Sequence, residues 1–386
     1  MAGDGSAAMR GCNTELYSAL LTLPFASVYA RMALGPALTA SFVEIVLENE
    51  AASGFVAELE KAHLHPIWDR FRRLTPVQPA ARDQPRLWRW QEIEPFAART
   101  AAEVPAEHVE RKALILAGPD FAGETVTTGG LIAAFTVLEP GDRARPHRHV
   151  MSALRFATQA EGAVTIVNGR RCAMAAGDLV ITPPMCWHGH INEGSSRTVW
   201  FDATNMPLCN SLDANFFEPG DPSDETFWQV GEGAERLWQD AGISTGEGSD
   251  PFPKFHYPGT ATRALLERTP VAPDGSRTVR YLNPATGGAV MPTIDCYAVR
   301  LASGRPTQPR RATWNTVCLV VSGTGRSRIG DKVFEWGPND AFTLPHWTWF
   351  EHEALGGDAD LFLVTDREAY ARLELAREEL GPARAG

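Results

Sequence analysis

The chain has 386 residues, a net charge of −11, and 44% hydrophobic and 22% charged residues. That length allows two or three domains with ample core, and the composition is ordinary globular, which excludes a disordered or fibrous chain. The acidic balance argues against nucleic acid or an anionic membrane surface as a partner, and an anionic ligand would need locally placed arginines.

In chain order, residues 1–15 are small and polar and are expected to lack order. The apolar stretch 16–47 is broken by Pro24, Arg31, Pro36 and Glu44, so it fits neither a membrane span nor a signal peptide. Apolar residues at helical spacing, Phe42, Ile45, Val46, Phe55, Val56 and Leu59, predict helices over 40–61 with Gly54 as a weak point. His63 and His65 form an HxH pair with no second motif after it, and they are read as surface or core histidines. Trp88 and Trp90 follow in a Trp-, Arg- and Pro-rich stretch and are read as packing against the coming β module, with an aromatic ligand wall as the alternative.

Strands are expected at 112–117 and 129–138, with a hairpin at Asn168-Gly169 and further strands to about Phe201. Residues 209–255, rich in acidic residues, Gly and Pro, read as a connector with a short helical piece at 235–238. Strands resume at 278–281 and 297–301, a second hairpin is set at Gly330-Asp331, and a helix over 368–380 with Asp366 as N-cap ends the chain. The expected division is therefore 1–111 helical extension, 112–208 first β domain, 209–277 connector and 278–386 second β domain with the terminal helix. The six cysteines form no CxxC pair, which fits reduced thiols in the cytoplasm; Cys186 is read as a small packed group.

The chemistry concentrates in 140–192. Gly141 is followed after five residues by His147, and His149 comes two residues later. Gly177 is followed after five residues by Pro183, then by His188 and Asn192. Two His at i and i+2 on a strand share one face, and a third from a neighbouring strand completes a facial metal site that leaves the other positions open. The second half repeats the spacing with the ligands gone. Gly304 leads after five residues to Arg310 and then Ala312, while Pro345 leads to Phe350, so one metal is expected for two barrels. His346 and His352 fall outside the ligand register and are read as structural.

This spacing resembles the two motifs of the cupin superfamily, which implies a mainly β bicupin, two jelly-roll barrels with N-terminal helices. The usual first-motif Glu is absent, since Ala153 and Leu154 stand there, so the site is read as three histidines. HLHPIW, PRLWRW, HRHVMSALRF, ITPPMCWHGH, Trp-Phe-Asp at 200–202 and NPATGGAVMPT together resemble the gentisate and salicylate 1,2-dioxygenases, with 1-hydroxy-2-naphthoate dioxygenase among their relatives. The resemblance runs from about Leu59 to the C-terminus and leaves residues 1–55 as an extension it does not explain.

It implies Fe(II) held by His147, His149 and His188, and O2 cleavage of a small aromatic carboxylate between its carboxyl-bearing and hydroxyl-bearing carbons. It also implies a homo-oligomer, often a tetramer. Arg155 resembles the arginine that takes the substrate carboxylate, and Arg111 a second anion-binding arginine. His190 resembles a substrate-contacting His able to move a proton at the hydroxyl, and Asp202 an acid that orients one of the histidines. Departures lie at Gly189, where Asp is common, and at Thr136, where Gln is common. Ala134 and Ile132 are the other expected pocket positions. Losing a carboxylate and an amide there removes contacts to a ring 5-hydroxyl, which points from gentisate toward a substituted salicylate or a hydroxynaphthoate. The alternative class is a non-catalytic anion binder or isomerase on the same barrel.

Overall fold

The structure, a computed structural model, describes residues 50–68, 70–121, 123–221, 224–228 and 254–382. The expected helical residues 40–49 and 235–238 lie outside these. Two compact units divide the chain, one ending at Gln78 and one starting at Pro79. In the first, α1 (Glu50–Lys61) runs through Gly54 and α2 (Phe71–Leu74) is a single turn. Among the described residues no helix is long and apolar enough to cross a membrane.

The second unit carries the sheets. Its first half is built from β2 (Ala113–Ile115), β3 (Ile132–Leu138), β4 (Arg143–His149), β5 (Ala153–Gln159), β6 (Ala163–Val167) and β7 (Arg170–Ala173). It continues with β8 (Leu179–Thr182), β9 (His188–Asn192), β10 (Thr198–Thr204), β11 (Phe217–Pro219) and β12 (His256–Tyr257). These make a six-stranded sheet, β12-β8-β5-β10-β3-β2, and a five-stranded one, β11-β4-β9-β6-β7, with every pairing antiparallel. The expected hairpin is present. Asn168 and Gly169 take φ of 45° and 77° between β6 and β7, the left-handed pair that a two-residue hairpin turn needs.

Strand β3 shows why the barrel closes where it does. Ile132, Ala134 and Thr136 face one way and Ala133, Phe135 and Val137 the other. All seven of its residues are buried, so both faces are covered. Helix α3 (Trp90–Glu103) covers the outer face, with the Trp90 and Phe135 rings 5.0 Å apart. Trp88 sits on β1 (Leu87–Trp88), which pairs with the second barrel. Both tryptophans therefore pack, as the simpler reading expected.

The second barrel is one nine-stranded sheet that includes β1, β13 (Arg277–Arg280), β14 (Asp295–Leu301), β15 (Arg310–Ala312) and β16 (Thr316–Ile329). Strands β17 (Lys332–Trp336), β18 (Ala341–Leu344), β19 (Phe350–Thr365) and β20 (Glu378–Leu380) complete it. Register shifts around Ser322 in β16 let these long strands bend and serve both layers. Helix α4 (Met206–Ser211) leads into the stretch expected as a connector, which supplies β11, β12 and α5 (Gly259–Arg268). Asp178 ties on β12 and α5, accepting from Gly259 N at 2.7 Å and lying 2.7 Å from His256 Nε2.

The C-terminal helix is shorter than expected. Helix α6 spans only Arg367–Arg372, Glu374 takes a φ of 59°, and 378–380 is the strand β20. The free edge of β15 accepts that strand, and tertiary pairing overrides a helical-looking pattern. Asp366 stands at the N-cap position but caps no helix N–H. Its carboxylate accepts from Asn315 N and Nδ2 at 2.7 and 2.9 Å.

The two barrels share one core. Phe156 of β5 stacks on Phe362 of β19 with centroids 4.2 Å apart at 23°. Both rings are buried, 4% and 0% exposed. Phe362→Ala is expected to cost about 3–5 kcal/mol by leaving a cavity at this junction, measured by denaturant unfolding.

Candidate metal centre

Strand β4 reads RARPHRH. Pro146 has no N–H for the ladder, and the β4–β9 register shifts between Ala144 and His147. That shift sets His147 directly opposite His188. His149 lies two residues on, on the same face. Ligand nitrogens of His147, His149 and His188 all come within 4.8 Å of one another, the one such cluster among the described residues, and all three side chains are buried.

The backbone fixes how these rings point. His147 Nδ1 lies 2.8 Å from Arg145 O, His149 Nδ1 2.9 Å from Met151 O, and His188 Nδ1 3.0 Å from Cys186 O. A carbonyl only accepts, so each Nδ1 carries the hydrogen and each Nε2 lone pair is turned inward. Burial, reinforced by nearby arginines, pushes His147 down to about 2 and His149 to about 4, and holds His188 well below the usual histidine range. Neutral, inward-facing imidazoles are the form that binds a metal, so the residues present fit a divalent transition ion.

Around this trio the expected residues take definite places. Arg111 Nη2 lies 2.7 Å from His147 Nε2 and 3.1 Å from His188 Nε2, and its Nη1 lies 3.0 Å from His190 Nε2. A guanidinium only donates, so His190 Nε2 accepts from Arg111 and its Nδ1, 2.9 Å from Thr165 Oγ1, carries the hydrogen. Arg155 is 1% exposed. It donates from Nη1 to Thr182 Oγ1, and its Nε stands 3.5 Å from Asp202 Oδ1 without a hydrogen-bond acceptor. Burial and Arg111 bring Arg155 down to about 9, which leaves it charged at neutral pH.

Asp202 does not hold a histidine as expected. It accepts from Thr136 Oγ1 and from Trp200 Nε1 (3.0 Å), and sits opposite Arg155 in the β10–β5 register. Thr136 is fully buried beneath it. Ala134 and Ile132 share the inner face with Thr136. Gly189 is not a pocket position. Its side-chain direction is opposite to that of His188 and His190, and a Cβ there would meet Phe227 Cε1 at 2.8 Å, Trp228 Cη2 at 3.0 Å and Ala144 O at 3.3 Å. The residue alternation of β9 held that information. Thr165, Thr182 and Phe217, whose ring lies 5.0 Å from that of His147, had no spacing to mark them because they arrive from other strands.

The second barrel repeats the frame without ligands. Arg310 faces Phe350 across β15 and β19, as His147 faces His188. His352 stands opposite Ser327 at 2.7 Å, as His190 stands opposite Thr165.

Two jelly-roll barrels, one holding a buried three-imidazole centre able to hold a metal, define a bicupin. A cupin-domain family model matches residues 134–204. Gentisate 1,2 dioxygenase 1 of Aquipseudomonas alcaligenes is 35% identical, over 88% of this chain and 99% of its own. The 5-aminosalicylate 1,2-dioxygenase of Comamonas sp is 33% identical over 83% of this chain and 88% of its own. Salicylate 1,2-dioxygenase from Pseudoaminobacter salicylatoxidans, solved with gentisate, superposes with a TM-score of 0.78 at 29% identity, covering 86% of this chain and 94% of that one. The chain belongs to the gentisate and salicylate 1,2-dioxygenase family.

Buried neutral histidines carry a pH cost that His352 isolates. Burial, then Arg310, pushes it down to about 3. Such a group stabilises the fold fully above its unfolded value near 6.5 and loses that contribution as pH falls toward 3. One group therefore removes about 2 kcal/mol between pH 7 and pH 5. In His352→Gln the loss of stability over that interval is expected to shrink by about this amount, read by urea unfolding at the two pH values.

Proposed function

We propose that the centre of the first barrel holds Fe(II) on His147, His149 and His188 and works on O2 and a 2-hydroxybenzoate. The chain is a 1,2-dioxygenase, an oxidoreductase that puts two oxygen atoms into a hydroxylated aromatic carboxylate, and this sets aside the anion binder or isomerase. The observation that carries the metal reading is the trio of inward Nε2 lone pairs. A ferrous ion there would supply the one-electron chemistry that dioxygen requires and would favour loss of the phenolic proton.

The protein's own groups do the rest. Arg155, charged and with donor capacity left over, takes the substrate carboxylate in a two-pronged grip. Asp202 positions Arg155. A cation on the three lone pairs would take over the acceptors that Arg111 now faces, leaving its donors for the substrate anion. His190, with its hydrogen at Nδ1, accepts the hydroxyl proton at Nε2. Along β3, Ala134 and Ile132 are apolar, and Thr136 gives its hydrogen to Asp202. That wall therefore has no donor left for a ring 5-hydroxyl, which favours salicylate-type or hydroxynaphthoate substrates over gentisate. The reading includes a cytoplasmic homo-oligomer, a tetramer by the family resemblance; the five cysteines among the described residues are all buried, which fits a reducing compartment.

His188→Ala is expected to lose its iron by metal analysis; full occupancy would remove the ligand assignment. Arg155→Lys is expected to keep the iron and raise KM roughly 10- to 100-fold, the worth of a lost two-pronged charged contact. Iron-loaded protein is expected to consume oxygen with at least one of gentisate, salicylate and 1-hydroxy-2-naphthoate. Retained iron with no uptake on any of the three overturns the reading.

A further inference from the structure

We propose that Arg148 is a positioning residue that clamps the three metal ligands from the outer face of the barrel. It lies between His147 and His149, so its side chain leaves the strand on the opposite side from theirs. Its Nε donates to Glu218 Oε2 at 2.7 Å, with Nη2 also 2.7 Å from that oxygen. Its guanidinium lies 5.1 Å from the centroid of Trp187, the residue that immediately precedes His188. Glu218 is the centre of β11, in register with Arg148, while Pro219 faces His147 and Phe217 faces His149. One cation thus gathers the chain neighbours of all three ligands.

Each partner of the clamp is itself held. Trp187 N donates to Asn168 Oδ1 and Asn168 N to Trp187 O, both at 2.8 Å, which anchors the entry to β9 on the hairpin turn. Gly220 N donates to Pro146 O at 2.8 Å, which closes the far end of β11 over the start of the ligand pair. Without β11, the strand carrying two ligands would be a sheet edge. A half-exposed ion pair adds little stability. Its effect here is geometric, because imidazole nitrogens must be held within about half an ångström to bind a metal well.

The second barrel provides an internal control. Arg311, between Arg310 and Ala312, lies 2.6 Å from Glu379 on β20 in the same register, and 4.8 Å from Trp349, which precedes Phe350. The clamp is the same, and it surrounds no ligands.

The inference rests on the three-imidazole metal centre, and Co(II) tests the two separately. Wild type, Arg148→Met, Glu218→Gln and Arg311→Met are loaded with Co(II). Its visible absorption and its rate of loss to a chelator are followed, with circular dichroism as the check on folding. Arg148→Met is expected to lose Co(II) on the order of 10- to 100-fold faster than wild type with an altered spectrum. Glu218→Gln, which changes no volume and carries the test if Arg148→Met does not fold, moves the same way. Arg311→Met keeps the wild-type rate. Wild-type rates in both first-barrel variants, or an equal loss in Arg311→Met, overturn the clamp. A wild-type chain that takes up no Co(II) overturns the metal centre itself.

Discussion

Everything at the centre depends on three backbone carbonyls. Arg145, Met151 and Cys186 each present an oxygen to an Nδ1, and each lies two residues from the histidine it orients. Because the partner is local, the tautomer follows from the strand conformation and needs no separate side chain. The constraint on the fold is then a single register, His147 opposite His188. The bulge at Pro146 is what produces it. A slip of one residue would turn His147 and His149 toward solvent and Arg148 into the barrel, exchanging two of the three lone pairs for a buried charge.

Once the ligands are neutral, the charge in the chamber comes from arginines. Arg111 and Arg155 both stand near the imidazoles, and each depresses their proton affinity. A fully buried guanidinium beside a half-buried one would be costly without a counter-charge. Asp202 supplies it, braced by Thr136 and Trp200. An anionic substrate adds a second counter-charge, so affinity for a carboxylate follows from the same electrostatics that keep the histidines neutral. A chain of net charge −11 can accommodate such an anion because Arg111 and Arg155 place positive charge locally beside the imidazoles.

Much of this was legible in the sequence, and the boundary is physical. Spacing along one strand carries information about that strand alone. HxH and the glycines therefore marked the three histidines that come together, Asn168-Gly169 and Gly330-Asp331 marked the hairpins, and the repeat marked Arg310 and Phe350 at the matching register of the second barrel. Relations between strands leave no such trace. Asp202 was expected to orient a histidine, yet beside Trp200 of its own strand its partners are Thr136 of β3 and Arg155 of β5. Glu378 to Leu380 look helical because the edge they pair with, β15, lies far away in sequence. Strand β11 was hidden for the same reason in a stretch of Gly, Pro and acidic residues. Gly189 could have been read correctly, since alternation on β9 already assigns it to the outer face.

The comparison of the two barrels separates architecture from chemistry. What they share, namely the bonded strap on the first-motif strand, the Arg–Glu pair, the tryptophan before the third position and the hydroxyl facing the last histidine, persists where no metal ligands remain. These features therefore belong to the frame. At the ligand positions themselves the side chains differ: His147, His149 and His188 become Arg310, Ala312 and Phe350. Phe350 lies 5.3 Å from the His352 ring, so aromatic packing fills the place that coordination fills in the first barrel. A frame that survives the loss of its ligands does not need the metal to fold. The first barrel can then hold its imidazoles in place in advance, and binding energy for the ion is not consumed in ordering the chain.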